Sequence, residues 1–429
     1  MHIEVVTVGD ELLLGYTIDT NAAHLARTLA GEGVEISRRT TVGDTADSIA
    51  SAVREALDRT GAVITTGGLG PTSDDLTKPS IAALFGRGMV LDENHLAWME
   101  ERFTQLFQRP MPAANRQQAM LPEGARKLQN NHGSAPGIWL EDERGRWVAM
   151  LPGVPREMHG MLADTLLPLI RERLGAARRV VRSRTLRTTG LGESFIADRV
   201  AALDGGVGEA GLAYLPNAEG TDLRLTVRNA ASEDADHRLA TAAERLRSVV
   251  GDAVYGEDSA DLAAVVLDLC RERGLTISVA ESCTGGLLGA RLTAIPGSSD
   301  VVIGGVIAYR NATKTTLLGV PDEALLTHGA VSEPVVRTMA EGARAATGAS
   351  VGMAITGVAG PGGGTEEKPV GTVWIATDVE GAVESRRLRL IGDRAEVRQR
   401  AAQAALDMLR RRLVFGTSVV EPMGTGITR

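Results

Sequence analysis

The sequence predicts an α/β protein made of three domains. Short apolar, β-branched runs alternate with amphipathic helical patterns near both ends of the chain, and a length of 429 residues corresponds to about three domains. We expect a mostly parallel, three-layer sheet domain over 1–172, a small α+β domain over 173–255 and a second α/β domain over 256–415. The Gly- and Thr-rich stretch 416–429 is expected to be a flexible tail.

Composition and charge exclude several classes of protein. The net charge of -8 and the aromatic content of 3% argue against a nucleic-acid-binding or anionic-membrane surface. Neither a leader segment nor a run long enough to cross a bilayer is visible. The two cysteines, Cys270 and Cys283, have neither the number nor the spacing of a zinc site or a disulfide framework. We therefore expect a cytoplasmic protein with reduced thiols.

The first domain carries a glycine-rich loop directly after a predicted strand, Ala62–Thr66. In parallel sheets ligands bind beyond the carboxyl ends of the strands. A polyphosphate can approach backbone amides closely where no Cβ intervenes, and a hydroxyl can add a hydrogen bond. The predicted nucleotide-binding residues of this loop are Gly67, Gly68, Gly70 and Thr72.

Two carboxylates, Asp74 and Asp75, follow this loop at once. Carboxylates beside a phosphate site repel the ligand unless a divalent cation bridges them, so the pair predicts a metal such as magnesium. The alternative is a structural turn, in which Asp74 caps the next helix and Asp75 occupies its first turn.

The middle domain contains a GLGE turn at Gly190–Glu193, followed by a helical pattern. The turn invites comparison with the single-stranded RNA-binding loops of KH domains. However, Glu193 and Asp198 would repel a phosphate backbone. We therefore expect a KH-like topology that serves as a spacer or a dimerisation unit.

The last domain is organised around AESCTGG, Ala280–Gly286, which lies between a predicted strand and a predicted helix. Ser282 at such a corner could attack a carbonyl carbon. The backbone amides of Cys283, Thr284, Gly285 and Gly286 would then donate to the developing oxyanion. Two alternatives remain at this point. Ser282 could be a helix cap, or Cys283 could be the nucleophile.

Lys314 is the candidate base for such a nucleophile. It falls in the first turn of a predicted helix capped by Asn311, where the helix dipole disfavours an ammonium ion. Burial at a strand end would act in the same direction. Tyr309 could relay a hydrogen bond between Ser282 and Lys314, and no histidine of this domain is well placed to replace the lysine.

Two further segments are candidate substrate contacts. A long glycine-rich loop follows a predicted strand, and its amides at Gly357 and Gly360, with the hydroxyl of Thr356, are suited to a phosphate or an amide oxygen. Arg394 stands at a predicted helix start, where the dipole and the guanidinium both favour an anion.

The N-terminal motifs resemble those of the CinA family, whose first domain is similar to MoaB/Mog-like molybdopterin-binding domains. The matching strings are GDELLLG with DTN, VGD, TGGLGPTSDD and LPGVPREM. The resemblance implies a metal-dependent ADP-ribose pyrophosphatase, with the pyrophosphate at the loop glycines. It also implies a divalent cation held by the acids Asp10, Glu11, Asp74 and Asp75.

The C-terminal motifs resemble the nicotinamide-nucleotide deamidase domain of the same family. The matching strings are AESCTGG, YRNATK, HGAVSEP, TGVAGPGGG with EEKPVGTVW, and GDR. The resemblance implies hydrolysis of nicotinamide mononucleotide (NMN) to nicotinic acid mononucleotide and ammonia, without a cofactor. Ser282 would be the nucleophile, Lys314 the base and Tyr309 its relay, with Thr356 and Arg394 contacting the substrate. A homodimer is the expected assembly.

Two other functions stay open from sequence. The N-terminal half could bind a nucleotide or pterin ligand only to regulate the deamidase, which assays of the isolated halves would reveal. Alternatively, the chain could be a nucleic-acid-associated factor, as the family's competence-related name implies. A salt-dependent binding titration would separate that hypothesis from an enzyme acting on small nucleotides.

Overall fold

The computed structural model describes residues 1–175 and 179–416, so the predicted tail lies outside the described residues except for Gly416. The described chain divides into two compact units. One comprises Met1–Arg182 with Arg228–Asp236, and the other comprises Ser183–Val227 with the chain from His237 onward.

The first unit is built on a six-stranded sheet in the order β2-β1-β3-β8-β7-β6. Strands β2, β1, β3 and β8 are parallel, whereas β7 and β6 add an antiparallel edge. The strands of this unit are β1 (His2–Val8), β2 (Glu35–Val42), β3 (Ala62–Thr66), β4 (Met89–Leu91), β5 (Met120–Pro122), β6 (Arg126–Leu128), β7 (Gly137–Glu141) and β8 (Trp147–Leu151).

Successive residues of the central strands enter two different cores, because side chains alternate between the faces of a sheet. Ile64 of β3 belongs to one cluster and Val63 to the other. The sheet is therefore covered on both faces, which is the predicted three-layer arrangement. The helices of this unit are α1 (Asp10–Leu13), α2 (Thr20–Gly31), α3 (Ala46–Thr60), α4 (Thr77–Leu84), α5 (Glu93–Phe107), α6 (Pro155–Met161) and α7 (Leu167–Leu174).

The middle region forms a four-stranded sheet in the order β10-β11-β9-β12. Its β10–β11 and β9–β12 pairs are antiparallel. The elements are β9 (Val180–Thr188), α8 (Glu193–Ala201), β10 (Gly211–Pro216), β11 (Thr221–Ala230), α9 (Ser232–Val250) and β12 (Val254–Glu257).

The last region is a five-stranded sheet in the order β14-β13-β15-β16-β17. Strands β14, β13 and β15 are parallel, and β16 and β17 are antiparallel. Its elements are α10 (Leu262–Arg273), β13 (Ile277–Glu281), α11 (Leu287–Thr293), β14 (Val302–Ile307), α12 (Asn311–Leu318), α13 (Asp322–His328), α14 (Glu333–Thr347), β15 (Val351–Gly357), β16 (Thr372–Val379), β17 (Ala382–Arg389) and α15 (Arg394–Phe415).

Both faces of this sheet are also buried. Residues such as Met353 of β15 pack in a cluster with α10, α11 and α15, whereas Ala354 packs in a second cluster with α12 and α14. The carboxyl ends of β13, β14 and β15 consequently lie side by side at one edge, and this edge carries the predicted nucleophile and base.

Two helix starts differ from the sequence prediction. Helix α12 begins at Asn311 itself, with Arg310 as its N-cap, so Lys314 is still in the first turn. Helix α4 begins at Thr77 with Leu76 as its N-cap and without a side-chain cap. Asp74 therefore does not cap α4. Within the described ranges, none of the helices combines the length and the apolar character that a bilayer span requires.

Candidate active site

The AESCTGG turn joins β13 to α11. Strand β13 ends at Glu281, and the amide of Ser282 donates to the carbonyl of Ile355 in the neighbouring strand β15 at 2.9 Å. Gly285 and Gly286 have φ angles of 59° and 95°, in the left-handed region that favours glycine. These two residues turn the chain sharply into α11 and leave Ser282 at the strand tip.

Ser282 and Lys314 are in direct contact. The Nζ atom of Lys314 lies 3.2 Å from Ser282 Oγ and donates a second hydrogen bond to the carbonyl of Ala308 at 2.7 Å. The lysine is only 1% exposed, and no carboxylate forms an ion pair with it among the described residues. Burial lowers the pKa of Lys314 because the ammonium ion loses its hydration. A neutral amine beside an alcohol is the arrangement that proton removal from Ser282 requires.

Glu281 occupies part of the helix N-terminus that was expected to receive an oxyanion. Its carboxylate is 1% exposed and accepts from the amides of Gly286 at 3.0 Å, Leu288 at 3.1 Å and Gly289 at 2.8 Å. The amide of Gly285 donates to the carbonyl of Ser282. The sequence predicted that all four amides from Cys283 to Gly286 donate to the oxyanion. The amides of Gly285 and Gly286 already have acceptors, so only those of Cys283 and Thr284 can do so.

Replacing this carboxylate should destabilise the turn. In a Glu281→Gln variant one acceptor oxygen becomes an NH₂ group that faces an N–H donor, and the remaining bonds lose their charge. We expect the free energy of unfolding to fall by about 3 kcal/mol. Denaturant titration measures this loss, and Glu341→Gln, an exposed glutamate on α14, is the control. Equal stability of both variants would contradict the assigned role of Glu281.

Tyr309 does not lie between Ser282 and Lys314 as the relay hypothesis expected. Among the hydrogen bonds of the described residues, its hydroxyl accepts from Nη2 of Arg394 at 2.9 Å. Arg394 is the first residue of α15 and also donates to the carbonyl of Gly360 at 2.7 Å. Since the lysine contacts the serine directly, a relay is not needed. Tyr309 and Arg394 instead form an exposed polar pair at the rim of the site.

Three side chains in or beside this turn were not singled out from the sequence. Arg398 donates to the carbonyl of Thr284 at 2.6 Å and 3.2 Å, which holds the turn against α15. Thr284 itself is fully buried, and its hydroxyl has no partner among the described residues. Glu281 is the third. The signal for Arg398 was present, because it lies one helical turn after Arg394 on the same face.

The remaining predicted contacts are placed as follows. Burial raises the pKa of the Cys283 thiol to about 12, so a thiolate is strongly disfavoured there. Thr356 is buried at the end of β15 and donates to the carbonyl of Ala330 at 2.8 Å. Its oxygen can therefore act only as an acceptor towards a ligand. Gly357 ends β15, and Gly360 contributes its carbonyl to Arg394.

In the first unit the carboxyl ends of β1, β3 and β8 meet. Asn21, from the DTN string, donates to Thr66 Oγ1 at 3.1 Å and to the carbonyl of Gly153 at 2.7 Å, while its Oδ1 atom is buried and has no partner among the described residues. A Cβ on Gly67 would lie 2.2 Å from the carbonyl of Val8, so only glycine fits. The loop therefore lies where a ligand would be expected.

The four predicted metal-binding acids do not form a ready site. Asp75 Oδ1 accepts from the amide of Gly70 at 2.7 Å, and Asp75 Oδ2 accepts from the amide of Thr72 at 2.8 Å, so this carboxylate stabilises its own loop. Asp10, Glu11 and Asp74 are exposed. Within residues 1–175 and 179–416, no three His, Cys, Asp or Glu side chains converge as metal ligands. The present conformation therefore does not fit a protein-held cation.

Three family models of known proteins match the three regions of the chain, one model for each region. Family models match residues 4–172 (probable molybdopterin binding domain), 183–256 (damage-inducible protein CinA KH domain) and 259–413 (CinA C-terminal domain). A CinA-like protein of Gemmatimonas aurantiaca is 63% identical over 411 residues, covering 96% of each chain. A putative competence-damage inducible protein of Moorella thermoacetica is 43% identical over 416 residues, covering 96% of this chain and 99% of that one.

A solved structure is also similar. The competence/damage inducible protein of Agrobacterium tumefaciens is 45% identical over 34% of this chain and 91% of its own, with a TM-score of 0.34. Together the regions define a class of protein with a molybdopterin-binding-like domain, a KH-like domain and a C-terminal α/β domain, in the order that the sequence predicted. The chain belongs to the CinA family.

Proposed function

We propose that the C-terminal domain is an amidohydrolase that deamidates NMN. The observation that carries the proposal is the 3.2 Å contact between Lys314 Nζ and Ser282 Oγ, in which burial lowers the pKa of the lysine. The substrate follows from the resemblance of the five C-terminal strings to the deamidase domain. Arg394, exposed at the start of α15, would bind the phosphate of the nucleotide.

The reaction needs only groups of this site and water. Neutral Lys314 takes the hydroxyl proton of Ser282 while the Oγ atom of Ser282 attacks the carboxamide carbon. The backbone amides of Cys283 and Thr284 donate hydrogen bonds to the oxyanion that forms. The lysine then returns the proton to the amino group, which leaves as ammonia, and a seryl ester remains. Neutral Lys314 then takes a proton from water, whose oxygen attacks the ester carbon. The lysine returns that proton to the leaving oxygen of Ser282, which frees the serine and the acid product, and the acid ionises to the carboxylate.

Ammonia release is the direct test. The purified full-length chain, incubated with NMN, should yield ammonia and nicotinic acid mononucleotide in equal amounts. Nicotinamide, which lacks the phosphate that Arg394 would bind, should react much more slowly. A folded chain that releases no ammonia from NMN would overturn the proposal.

A second activity is proposed for the N-terminal domain, namely cleavage of ADP-ribose at its pyrophosphate. The supporting observation is the glycine loop at the carboxyl ends of β1, β3 and β8. It lies beside Asn21, whose Oδ1 atom has no hydrogen-bond partner in the described part of the chain. Because the acids do not converge as a metal cluster, no catalytic step is assigned to a cation. The divalent cation and the pyrophosphatase remain predictions.

Chelation separates the two proposed activities. Excess EDTA should abolish cleavage of ADP-ribose, because without a divalent cation the exposed acids would repel the charged pyrophosphate. Ammonia release from NMN should be unchanged, because Ser282 and Lys314 suffice for it. Parallel assays of one preparation measure both. Equal loss of both activities would contradict the view that the chain has two independent sites.

A further inference from the structure

A cavity of about 320 Å³ lies within the second unit, away from the AESCTGG turn. Its walls are the GLGE turn at Gly190–Glu193, the turn between β10 and β11, and one face of α15. The residues of α15 in this wall, Arg400, Gln403, Ala404 and Asp407, have the spacing of a single helix face. The volume is within the range of small-molecule sites.

Two arginines of the wall lack a close acidic partner. Arg386, on β17, forms no hydrogen bond or ion pair among the described residues. Burial and then the neighbouring Arg411 lower its pKa, and the charge of Asp407 offsets part of this effect. Arg400 has only a loose contact of 4.0 Å with Glu396, and its Nε atom is buried without an acceptor. Two guanidinium groups without a hydrogen-bonded carboxylate are suited to a dianion such as a phosphate monoester.

The acids around the cavity are mostly neutralised by other groups. Asp407 is paired with Arg410 and Arg411, each at 2.7 Å. Glu219 lies 3.6 Å from Arg187 and 3.4 Å from Arg291. Glu193, the remaining acid of the wall, is exposed at the start of α8. Asp407 and Glu219 therefore each have two guanidinium partners, whereas Arg386 and Arg400 have no hydrogen-bonded carboxylate among the described residues.

A buried amide supplies an independent reason to expect a ligand. Gln403 is 2% exposed, and its Oε1 atom accepts from Arg291 at 2.7 Å. Its Nε2 atom is buried and has no acceptor among the described residues. An unsatisfied buried donor costs about 1–3 kcal/mol, so an acceptor oxygen placed there by a ligand would be favourable.

From this arrangement we infer that the cavity binds a small organic phosphate. Arg386 and Arg400 pair with the phosphate group, and a small reorientation lets Gln403 Nε2 donate to it. The apolar side chains of Leu191 and Leu390 in the wall contact the carbon skeleton. This site is distinct from the predicted deamidase site, because none of its wall residues belongs to the Ser282 turn.

The same helix also reaches the deamidase turn. Arg398, two residues before Arg400, holds the carbonyl of Thr284, and Gln403 is bonded to Arg291 of α11, the helix that follows the turn. A phosphate bound in the cavity would thus contact α15 directly and would reach α11 through the bond between Gln403 and Arg291. We expect the phosphate to change nucleotide affinity by this route, and the nucleotide must then change phosphate affinity by the same factor.

Calorimetric titration of the full-length chain with glycerol 3-phosphate tests the site. Arg386→Ser and Arg400→Ser should each weaken binding by about tenfold to a hundredfold. Arg387→Ser removes the same charge from the opposite face of β17 and should bind normally. Binding that survives in both wall variants, or that is lost only in Arg394→Ser, would overturn the inference. Absence of binding at millimolar probe would do the same.

Two further measurements test whether the ligand is an organic phosphate and whether the cavity is coupled to the nucleotide site. Tighter binding of glycerol 3-phosphate than of inorganic phosphate supports an organic ligand, whereas equal binding would overturn that part of the inference. The coupling rests on the proposed function and is measured as NMN affinity in Ser282→Ala, with and without glycerol 3-phosphate. A nucleotide affinity that the probe leaves unchanged would overturn the coupling, while the titrations of the wall variants decide the site independently.

Discussion

A Ser282→Ala variant is expected to lose ammonia release from NMN by a factor of about 10⁴ or more, as happens when the nucleophile of a hydrolase is removed. The hydroxyl of Ser282 is the atom in contact with Lys314, at 3.2 Å. Its loss removes the covalent route, while the amides of Cys283 and Thr284 remain. Steady-state assays should therefore show a fall in kcat that is much larger than any change in nucleotide affinity.

Two variants make this result specific. Ser278→Ala removes a serine hydroxyl from the same strand, β13, where it is buried and lacks a partner within the described structure, so activity should be retained. Cys283→Ala should also remain active, because burial raises the pKa of that thiol to about 12 and disfavours a thiolate. An inactive Cys283→Ala beside a fully active Ser282→Ala would make the cysteine the nucleophile.

Replacing Lys314 should cost about 10³-fold in kcat/KM, within the usual range for a general base. Lys314→Met removes the proton acceptor, and Lys314→Arg keeps a cation that does not release its proton in this range of pH. Both variants should show this loss at every pH. If Lys314→Arg kept most of the activity, the residue would act through its charge and not as a base.

The pH profile of the wild-type enzyme gives a second test of the base. Only neutral Lys314 can accept a proton, so activity should be present above its pKa and should disappear as the pH falls through it. Burial lowers this pKa, so the acidic limb should lie below the ordinary lysine value of about 10.4. Lys368→Met, which removes a partly buried lysine of the same domain, should leave the limb in place.

Much of the candidate site could be predicted because it depends on local patterns. A buried strand followed by glycines predicts a strand-to-helix corner, and Ser282 lies at one. A helix cap pattern after YR placed Lys314 in the first turn of its helix, within one residue of the observed start. Such features depend on neighbours in sequence, and the hydrophobic period and turn residues report them.

The errors share the opposite cause. Tyr309 was expected between Ser282 and Lys314 because it follows a strand end just before the helix that carries the lysine. Its hydroxyl instead accepts from Arg394, 85 residues away. The glycine amides were expected to be free to donate to a ligand. The amide of Gly286 instead donates to the carboxylate of Glu281, which lies over the start of the helix. Asp75 looked like a metal ligand and is used by its own loop. The spacing of residues in a sequence motif does not predict side-chain hydrogen-bond partners of this kind.

The sequence by itself determined the α/β class, the three-domain order, the family and the two residues of the proposed serine and lysine pair. These follow from periodicity, glycine placement and ordered motifs, which are properties of short segments. Only the tertiary structure decided that Lys314 is buried against Ser282 and which amides stay free. It also revealed the cavity beside α15, with Arg386 and Arg400 in its wall. Distances and desolvation depend on strands and helices far apart in the chain, and packing alone brings them together.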